Sequence, residues 1–389
     1  MKNGIKIVKR ILKYTGLTLL GLILVLVVVG TLFMNLSPQF GGEITAEELE
    51  SYDKLEYHED GVFDNLIPTS MDMNFSKMME VMGDFMEGVP NDNPKSQLPQ
   101  ESVDSALLVL SKTEDKMIWF GHSAVLMQLN GKTILLDPML GDVPAPHPLL
   151  GNNRYSNNLP IEIEKLPEID FVLISHDHYD HLDYESIMQL KAKTKHFLVP
   201  FGVDAHFKSW EIEEGKIHKF GWWDELKLEG LEFAFAPSRH FSGRGFARNE
   251  TLWGSWLVKS DNKTFYFSGD GGYGPHFKEI GEKYGPIDFA MLECGQYNKN
   301  WDQIHMMPEE TAQAGVDLGA QTIMPIDWGA FTLALHTWND PVIRVSIEAK
   351  RLGIPIITPI IGEQVSLMDS LTLSSAPNQW WTDKALNQD

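Results

Sequence analysis

Ser175-His-Asp-His-Tyr-Asp-His-Leu-Asp183 packs three imidazoles and three carboxylates into nine positions. The whole chain has 13 histidines, and three of them fall here, directly after the apolar run Phe171-Val-Leu-Ile. Neutral imidazole and carboxylate are the ligands of zinc, and also of iron or manganese. His176 and His178 can grip one ion, while Asp180 and His181, one step further round the loop, can face a second. A polar surface loop would use the same residue types. The buried strand just before it argues instead for a structured edge.

Working outward, the same pattern recurs. Thr133-Ile-Leu-Leu runs into Asp137, Phe233-Ala-Phe-Ala leads to His240, Thr264-Phe-Tyr-Phe-Ser-Gly runs into Asp270, and Thr322-Ile-Met-Pro-Ile runs into Asp327. With the run before His176 that makes five apolar strands, each ending at a His or Asp. If the strands share one orientation, these residues converge on one rim, where sites are usually built. His240 could then complete the first ion's set, Asp270 could bridge both ions with its two oxygens, and Asp327 could close the second set. Strands alternating with turns and helical stretches from about Ala106 onward indicate an α/β fold.

The first forty residues read differently. Lys2, Lys6, Lys9, Arg10 and Lys13 precede a stretch, Tyr14 to Gly42, with no charge at all. Leu17 to Leu36 supplies about the twenty apolar residues that span a bilayer. The expectation is a single-pass anchor with a cytoplasmic N-terminus, by the positive-inside rule. A cleaved signal peptide is the rival, although no A-x-A-like site follows cleanly. The expected division is 1–42 as basic tip and transmembrane helix, 43–105 as linker and amphipathic segment, and 106–389 as the folded domain that carries the His-Asp cluster. Phe75, Met78, Met79, Met82 and Met86 predict a short amphipathic helix over Met71 to Gly88. Its Met face either caps the core or forms an adaptable apolar lip near the substrate.

Net charge constrains partners. The 389 residues carry 32 Lys and Arg against 54 Asp and Glu, a balance of −22. That disfavours nucleic acid, whose phosphates attract basic stripes. One cysteine, Cys294, allows no intramolecular disulfide. Gly-x-Ser-x-Gly is absent, which argues against a serine hydrolase.

The His-Asp cluster, the distant His and the strand-terminal Asp together resemble the metallo-β-lactamase superfamily. Trp119-Phe-Gly-His-Ser-Ala, Leu136-Asp-Pro, Leu252-Trp-Gly-Ser-Trp, Ser268-Gly-Asp-Gly-Gly-Tyr and Ile326-Asp-Trp-Gly-Ala-Phe are similar to its N-acyl-phosphatidylethanolamine-hydrolysing phospholipase D branch. The resemblance spans roughly Asp60 to Glu363. It implies an αββα sandwich of two packed mixed sheets flanked by helices. It also implies two metal ions, zinc favoured, with His176, His178 and His240 on one, Asp180 and His181 on the other, and Asp270 between them. The branch has His before Trp-Gly where this chain has Asp327. His336, nine residues on, is the other candidate for that place.

In this reading two cations lower the pKa of a shared water to near neutral, and Asp180 binds metal and orients the nucleophile. His305 and His122 are catalytic candidates near the site, each alternatively a structural imidazole. Asp137 fits better as a carboxylate supporting a ligand His than as a ligand. Arg239, Arg244 and Arg248 flank His240 and could receive a phosphate. The expected function is a membrane-anchored dinuclear phosphodiesterase acting on a lipid or amphiphilic ester. A lactonase or carboxylic-ester or amide hydrolase of the same fold is the alternative, and a non-catalytic membrane binding protein the third.

Overall fold

The computed structural model describes residues 2–70, 74–156, 158–261, 263–367 and 379–382. Before the sheets come helix α1 (Lys2–Leu36), α2 (Ala46–Tyr52), a small hairpin of β1 (His58–Glu59) and β2 (Val62–Phe63), α3 (Phe75–Glu87) and α4 (Ser105–Leu110). The first sheet then takes β3 (Lys116–Trp119), β4 (Val125–Leu129), β5 (Lys132–Leu136), β6 (Ile169–Leu173), β7 (Thr194–Pro200) and β8 (Ile217–Phe220). Helices α5 (Tyr184–Leu190) and α6 (Val203–Ser209) interrupt that run. The second sheet takes β9 (Glu225–Leu228), β10 (Leu231–Ala236), β11 (Ser255–Ser260), β12 (Lys263–Phe267), β13 (Phe289–Glu293) and β14 (Ile323–Ile326), with α7 (His276–Tyr284) and α8 (Pro308–Asp317) between its strands. Helix α9 (Asp340–Leu352) and strand β15 (Gln364–Ser366) follow.

The orders are β15-β3-β4-β5-β6-β7-β8 and β14-β13-β12-β11-β10-β9, and both sheets are mixed. Alternation along the strands builds four layers. Val125, Met127, Phe171, Phe233, Phe265 and Met291 point between the sheets and form the central core. Their neighbours Leu126 and Val172 face the other way, onto Ile187, Leu190 and Phe207 of α5 and α6. Tyr266, Ala290 and Leu292 likewise face Phe277, Ile280, Ala312 and Val345 of α7, α8 and α9. Each sheet thus hides both faces, which gives the αββα sandwich.

Parallel pairing fixes where strand ends point. β5 runs parallel to β6, and β12, β13 and β14 run parallel to one another. β10 has the direction of β12 because both pair antiparallel with β11. The five apolar runs therefore deliver Asp137, His176, His240, Asp270 and Asp327 to one rim of the sandwich.

The N-terminal side is joined to the fold. In the stretch 43–105, Tyr52, Phe63 and Leu98 are buried in the central core. The amphipathic helix forms over Phe75–Glu87, capped by the Asn74 side chain, but none of its residues is buried. Its Met face does not cap the core: Met78, Met79, Met82, Phe85 and Met86 are all exposed. Residues 71–73 of the predicted span lie outside the described residues. Helix α1 is long and apolar enough to cross a membrane by length and composition alone, and it is unburied.

Candidate metal centre

Two donor sets meet at the rim. His176, His178, His240 and Asp270 form one; His122, Asp180, His181 and Asp327 form the other, and within each set the ligand atoms lie within 4.8 Å of one another. In the first set, His176 Nε2 and His240 Nε2 stand 2.8 and 3.2 Å from His178 Nδ1. Asp270 Oδ2 is 4.0 Å from His176 Nε2 and 3.8 Å from His240 Nε2. A tetrahedral ion with bonds near 2.0–2.1 Å holds its ligand atoms about 3.4 Å apart, so these spacings suit one. The other oxygen, Asp270 Oδ1, lies 3.1 Å from His181 Nε2 of the second set. Asp270 therefore presents one oxygen to each set.

The second set is richer in carboxylate. His122 Nε2 sits 3.0 Å from Asp180 Oδ2 and 2.9 Å from Asp327 Oδ1. His181 Nε2 lies 3.6 Å from Asp180 Oδ2 and 3.9 Å from Asp327 Oδ1. His181 Nε2, Asp270 Oδ1 and Asp327 Oδ2 are buried without an aligned hydrogen bond. Buried polar atoms are rarely left so. Atoms that are close yet misaligned aim at a common point rather than at each other, as metal ligands do. The residues present thus fit metal ions.

Electrostatics differs between the sets. Burial and the neighbouring imidazoles push His176 well below its ordinary pKa, and burial pushes His178 and His240 down as well. Those rings stay neutral, the form that binds metal. Burial also opposes charge on His181 and His122. There the carboxylates win: Asp270, Asp180 and Asp137 lift His181 well above its usual value, and Asp327 and Asp180 lift His122 to about 9. Burial and the charge of Asp270 raise the Asp327 carboxyl. Three converging carboxylates call for positive charge, which metal ions held by this set would supply.

Support for the ligands comes from both sheets. Asp137 Oδ2 holds His181 Nδ1 at 2.8 Å, and its Oδ1 accepts from Ser175 N at 2.7 Å. His240 Nδ1 is 2.9 Å from Ile304 O, and His176 Nδ1 is 2.9 Å from Ser175 Oγ. Such contacts fix which nitrogen faces the metal. His122, Asp137 and Asp327 all have positive φ, at 53°, 38° and 68°, a strained backbone that concentrates at functional sites. His122 and Asp327 steady each other: Asp327 N donates to His122 O at 3.1 Å, and His122 N to Trp328 O at 2.8 Å. A Cβ on Gly295 would fall 1.7 Å from Asp327 O, so only glycine lets that loop pass.

The remaining candidates separate. His336 stands outside both sets, with Nε2 accepting from Gln296 N at 3.1 Å and Nδ1 2.9 Å from Thr337 O. Asp327, and not His336, joins the cluster. Two of the three arginines are committed elsewhere, contrary to their expected role. Arg239 donates to Thr69, Tyr273, Pro68 and Gln303, and buried Arg244 donates to the carbonyls of Gln39, Asp177 and Leu182. Arg248 lies over the Phe241 ring. Asp177, inside the His-Asp motif, takes no part in either set and accepts from Gly243 N and Thr251 Oγ1.

His305 lines the cleft over the donor sets, a space of about 210 Å³ shared with His178, Asp180, Phe241, Asp270, Gln296, Trp301, Ile304 and Leu333. Its Nδ1 is 3.0 Å from Glu293 Oε1, which leaves Nε2 for a bound molecule. Burial would lower this imidazole, but Glu293, with Asp270 and Asp327 behind, raises it to about 9. Glu293 was missed from sequence, although the buried strand β13 ends on it as the other five runs end on their acids or histidines. Gln296 was missed too. It donates to the carbonyls of Asp327 and Phe331 and so holds the 327–333 loop.

With two donor sets facing one bridging carboxylate at the rim of an αββα sandwich, comparison with known proteins becomes decisive. A family model described as the beta-lactamase superfamily domain matches residues 132–328. This chain belongs to that superfamily. Its fold is the metallo-β-lactamase one, and its superfamily is one of metal-dependent hydrolases. An uncharacterised protein of Mycobacterium tuberculosis is 35% identical over 334 residues, 83% of this chain and 87% of that one. The N-acyl-phosphatidylethanolamine-hydrolysing phospholipase D 1 of Caenorhabditis elegans is 30% identical over 273 residues, 64% of this chain and 73% of that one. A metallo hydrolase from the archaeon Ignicoccus hospitalis has a TM-score of 0.50 at 22% identity, covering 66% of this chain and all of that one. At that identity the likeness concerns fold alone.

Proposed function

We propose that this hydrolase is a membrane-anchored phosphodiesterase of phospholipase D type, binding two metal ions, zinc favoured, and acting on N-acyl-phosphatidylethanolamine-like lipids. The observation that carries the dinuclear reading is Asp270, with one oxygen turned to each donor set. His176, His178 and His240 would hold one ion with Asp270; Asp180, His181 and Asp327 would hold the other, and His122 is close enough to join them. When bound, such ions supply Lewis acidity and a water of lowered pKa. Support for the substrate class comes from the relationship to the nematode phospholipase D over 73% of its length.

This chain's own residues would do the rest. Asp180, part exposed at the cleft, orients the attacking water. His305, proton-bearing through Glu293, holds a proton at Nε2 for the departing alkoxide. Trp301 and Phe241 wall the cleft against water. Phe85 of α3 stacks parallel on Trp301, with ring centres 6.5 Å apart. The exposed Met face of α3 thereby continues the apolar wall outward as a lip for acyl chains. In this reading α1 spans the bilayer with its basic tip in the cytoplasm, 43–105 straps the anchor to the fold, and 106–389 is the extracytoplasmic hydrolase domain.

The second reading, a lactonase or ester hydrolase, is favoured by Asp327, whose extra negative charge beside the second set opposes an anionic phosphodiester. The commitment of Arg239 and Arg244 to hydrogen bonds within the fold points the same way. The test is a product assay in mixed micelles with N-acylated and plain phosphatidylethanolamine and with acyl lactones, alongside metal analysis of the same preparation. Release of phosphatidic acid is expected. Lactone turnover without phosphodiester cleavage would reverse the ranking.

A further inference from the structure

We infer that the rim carrying the metal cleft is itself a membrane-docking face, with Leu149, Leu150 and Phe246 entering the lipid beside the exit of α1. The inference rests on the reading of α1 as a membrane span and adds to it an orientation for the whole domain.

Three large apolar side chains stand free in water on two loops: Leu149 is 87% exposed, Leu150 62% and Phe246 91%. Scattered singly they would need no explanation, but both loops flank the end of α1. The Phe33 ring meets the His147 ring edge-on at 6.2 Å, and a Cβ on Gly245 would meet Met34 Cε at 3.4 Å. The exit segment is fastened there. Trp210 Nε1 donates to Pro38 O at 2.7 Å, Arg244 Nε donates to Gln39 O at 2.7 Å, and Gly42 N donates to His206 Nδ1 at 3.1 Å.

The loops also share an origin with the site. The stretch 138–155 leaves the end of β5 that carries Asp137, and 237–254 leaves the end of β10 that leads to His240. The anchor, the apolar tips and the metal cleft therefore occupy the same rim, and a bilayer crossed by α1 lies against it.

Charge points to the kind of contact. No charged residue lies between Asp142 and Arg154, and at the tip of the second loop, Phe241 to Ala247, the one charge is Arg244, which is buried and turned inward; the exposed Arg248 and Glu250 follow the tip. A chain of net charge −22 is repelled by anionic lipid. The partner is thus the apolar interior of a zwitterionic leaflet, reached by side chains that sink about 5–10 Å past the headgroups. Such a contact is insensitive to salt, unlike a polybasic one. A lipid substrate would then enter the cleft without leaving the membrane.

The experiment places nitroxide labels on full-length protein in phosphatidylcholine nanodiscs, by Leu149→Cys, Phe246→Cys, Val25→Cys and Lys259→Cys. The native Cys294 is buried and stays. Lys259 is exposed near the opposite end of β11. Relaxation by oxygen, which partitions into lipid, is compared with relaxation by a water-soluble nickel chelate. Labels at 149 and 246 should read as lipid-immersed, at high and low salt alike, with 25 immersed and 259 in water. If 25 is immersed while 149 and 246 match 259, the docking face is refuted and the anchor stands. If 25 reads as water, the anchor reading fails and the docking face falls with it.

Discussion

The two donor sets of one cleft are built on opposite principles. The set of His176, His178 and His240 is imidazole-rich, and burial keeps each ring neutral. The set of His122, Asp180, His181 and Asp327 is carboxylate-rich, its imidazoles driven toward the charged form. Two of its members, His122 and Asp327, sit on left-handed backbone, as does the supporting Asp137. A neutral ligand set leaves an ion its full positive charge, which favours polarising a substrate oxygen. A set with extra carboxylates neutralises its ion, which holds it firmly and weakens its pull on an anion. In the proposed two-ion site the first set would leave its ion the more electrophilic and the second would hold its ion the more firmly, with Asp270 shared.

The sharpest test of that contrast removes what the two sets share. Asp270→Ala should lose both metals and lower turnover by about 10³-fold or more, since metal polarisation is worth several kcal/mol. Elemental analysis showing one ion retained would mean that Asp270 serves a single set.

Next comes the charge of the second set. Asp327→Ala should leave about one metal per chain, held by the first set, with elemental analysis as the readout. Asp327→His removes one negative charge and should shift the ratio of phosphodiester to lactone turnover toward the phosphodiester, by about tenfold for about 1.4 kcal/mol of relieved repulsion. An unchanged ratio would remove Asp327 as the determinant of substrate charge.

A smaller effect is expected one layer out. Asp137 meets His181 on its Nδ1 side and is otherwise bonded to Ser175. Asp137→Asn should weaken metal affinity by about 10–100-fold without changing stoichiometry at saturating metal. Competition against a chelator of known affinity measures it, and loss of a whole equivalent at saturation would make Asp137 a ligand.

Half of each set could be read from one loop: His176 and His178 of the first and Asp180 and His181 of the second announce themselves by spacing. Asp137, Asp270 and Asp327 were legible in placement because each follows a buried apolar run, and parallel pairing sends such runs to one rim. The coupling of His122 to Asp327 was not legible, since it depends on two loops far apart in the chain exchanging backbone hydrogen bonds. The arginines misled for a related reason. Sequence shows charge near His240, but only the fold shows Arg239 and Arg244 spent on hydrogen bonds elsewhere. Helix α3 was readable as a helix from its periodicity. Its exposed Met face was not, because an amphipathic pattern does not say what the apolar face meets.

Burial keeps a further imidazole neutral outside the cleft, that of His276, and this gives the last and smallest prediction. His276 is buried at the start of α7, and burial first, then the positive Arg239 beside it, lowers its pKa to about 3. Its Nε2 has no hydrogen-bond partner. In the unfolded chain the same ring titrates near 6.5. Above that pH neither state binds the proton, and the full stability is present. As pH falls below about 6.5 the unfolded chain takes up a proton that the folded chain refuses, so stability drops by about 1.4 kcal/mol per pH unit. The loss levels off once pH passes the folded value near 3. Acid will also release metal from the ligand histidines, so wild type alone cannot isolate the effect. His276→Gln removes this titration and leaves the ligands in place. The difference in unfolding free energy between variant and wild type, followed by denaturant titration in detergent from pH 7.5 to 4.5, should slope in the variant's favour as pH falls. A flat difference would mean that His276 takes up its proton as readily in the folded protein as in the unfolded chain.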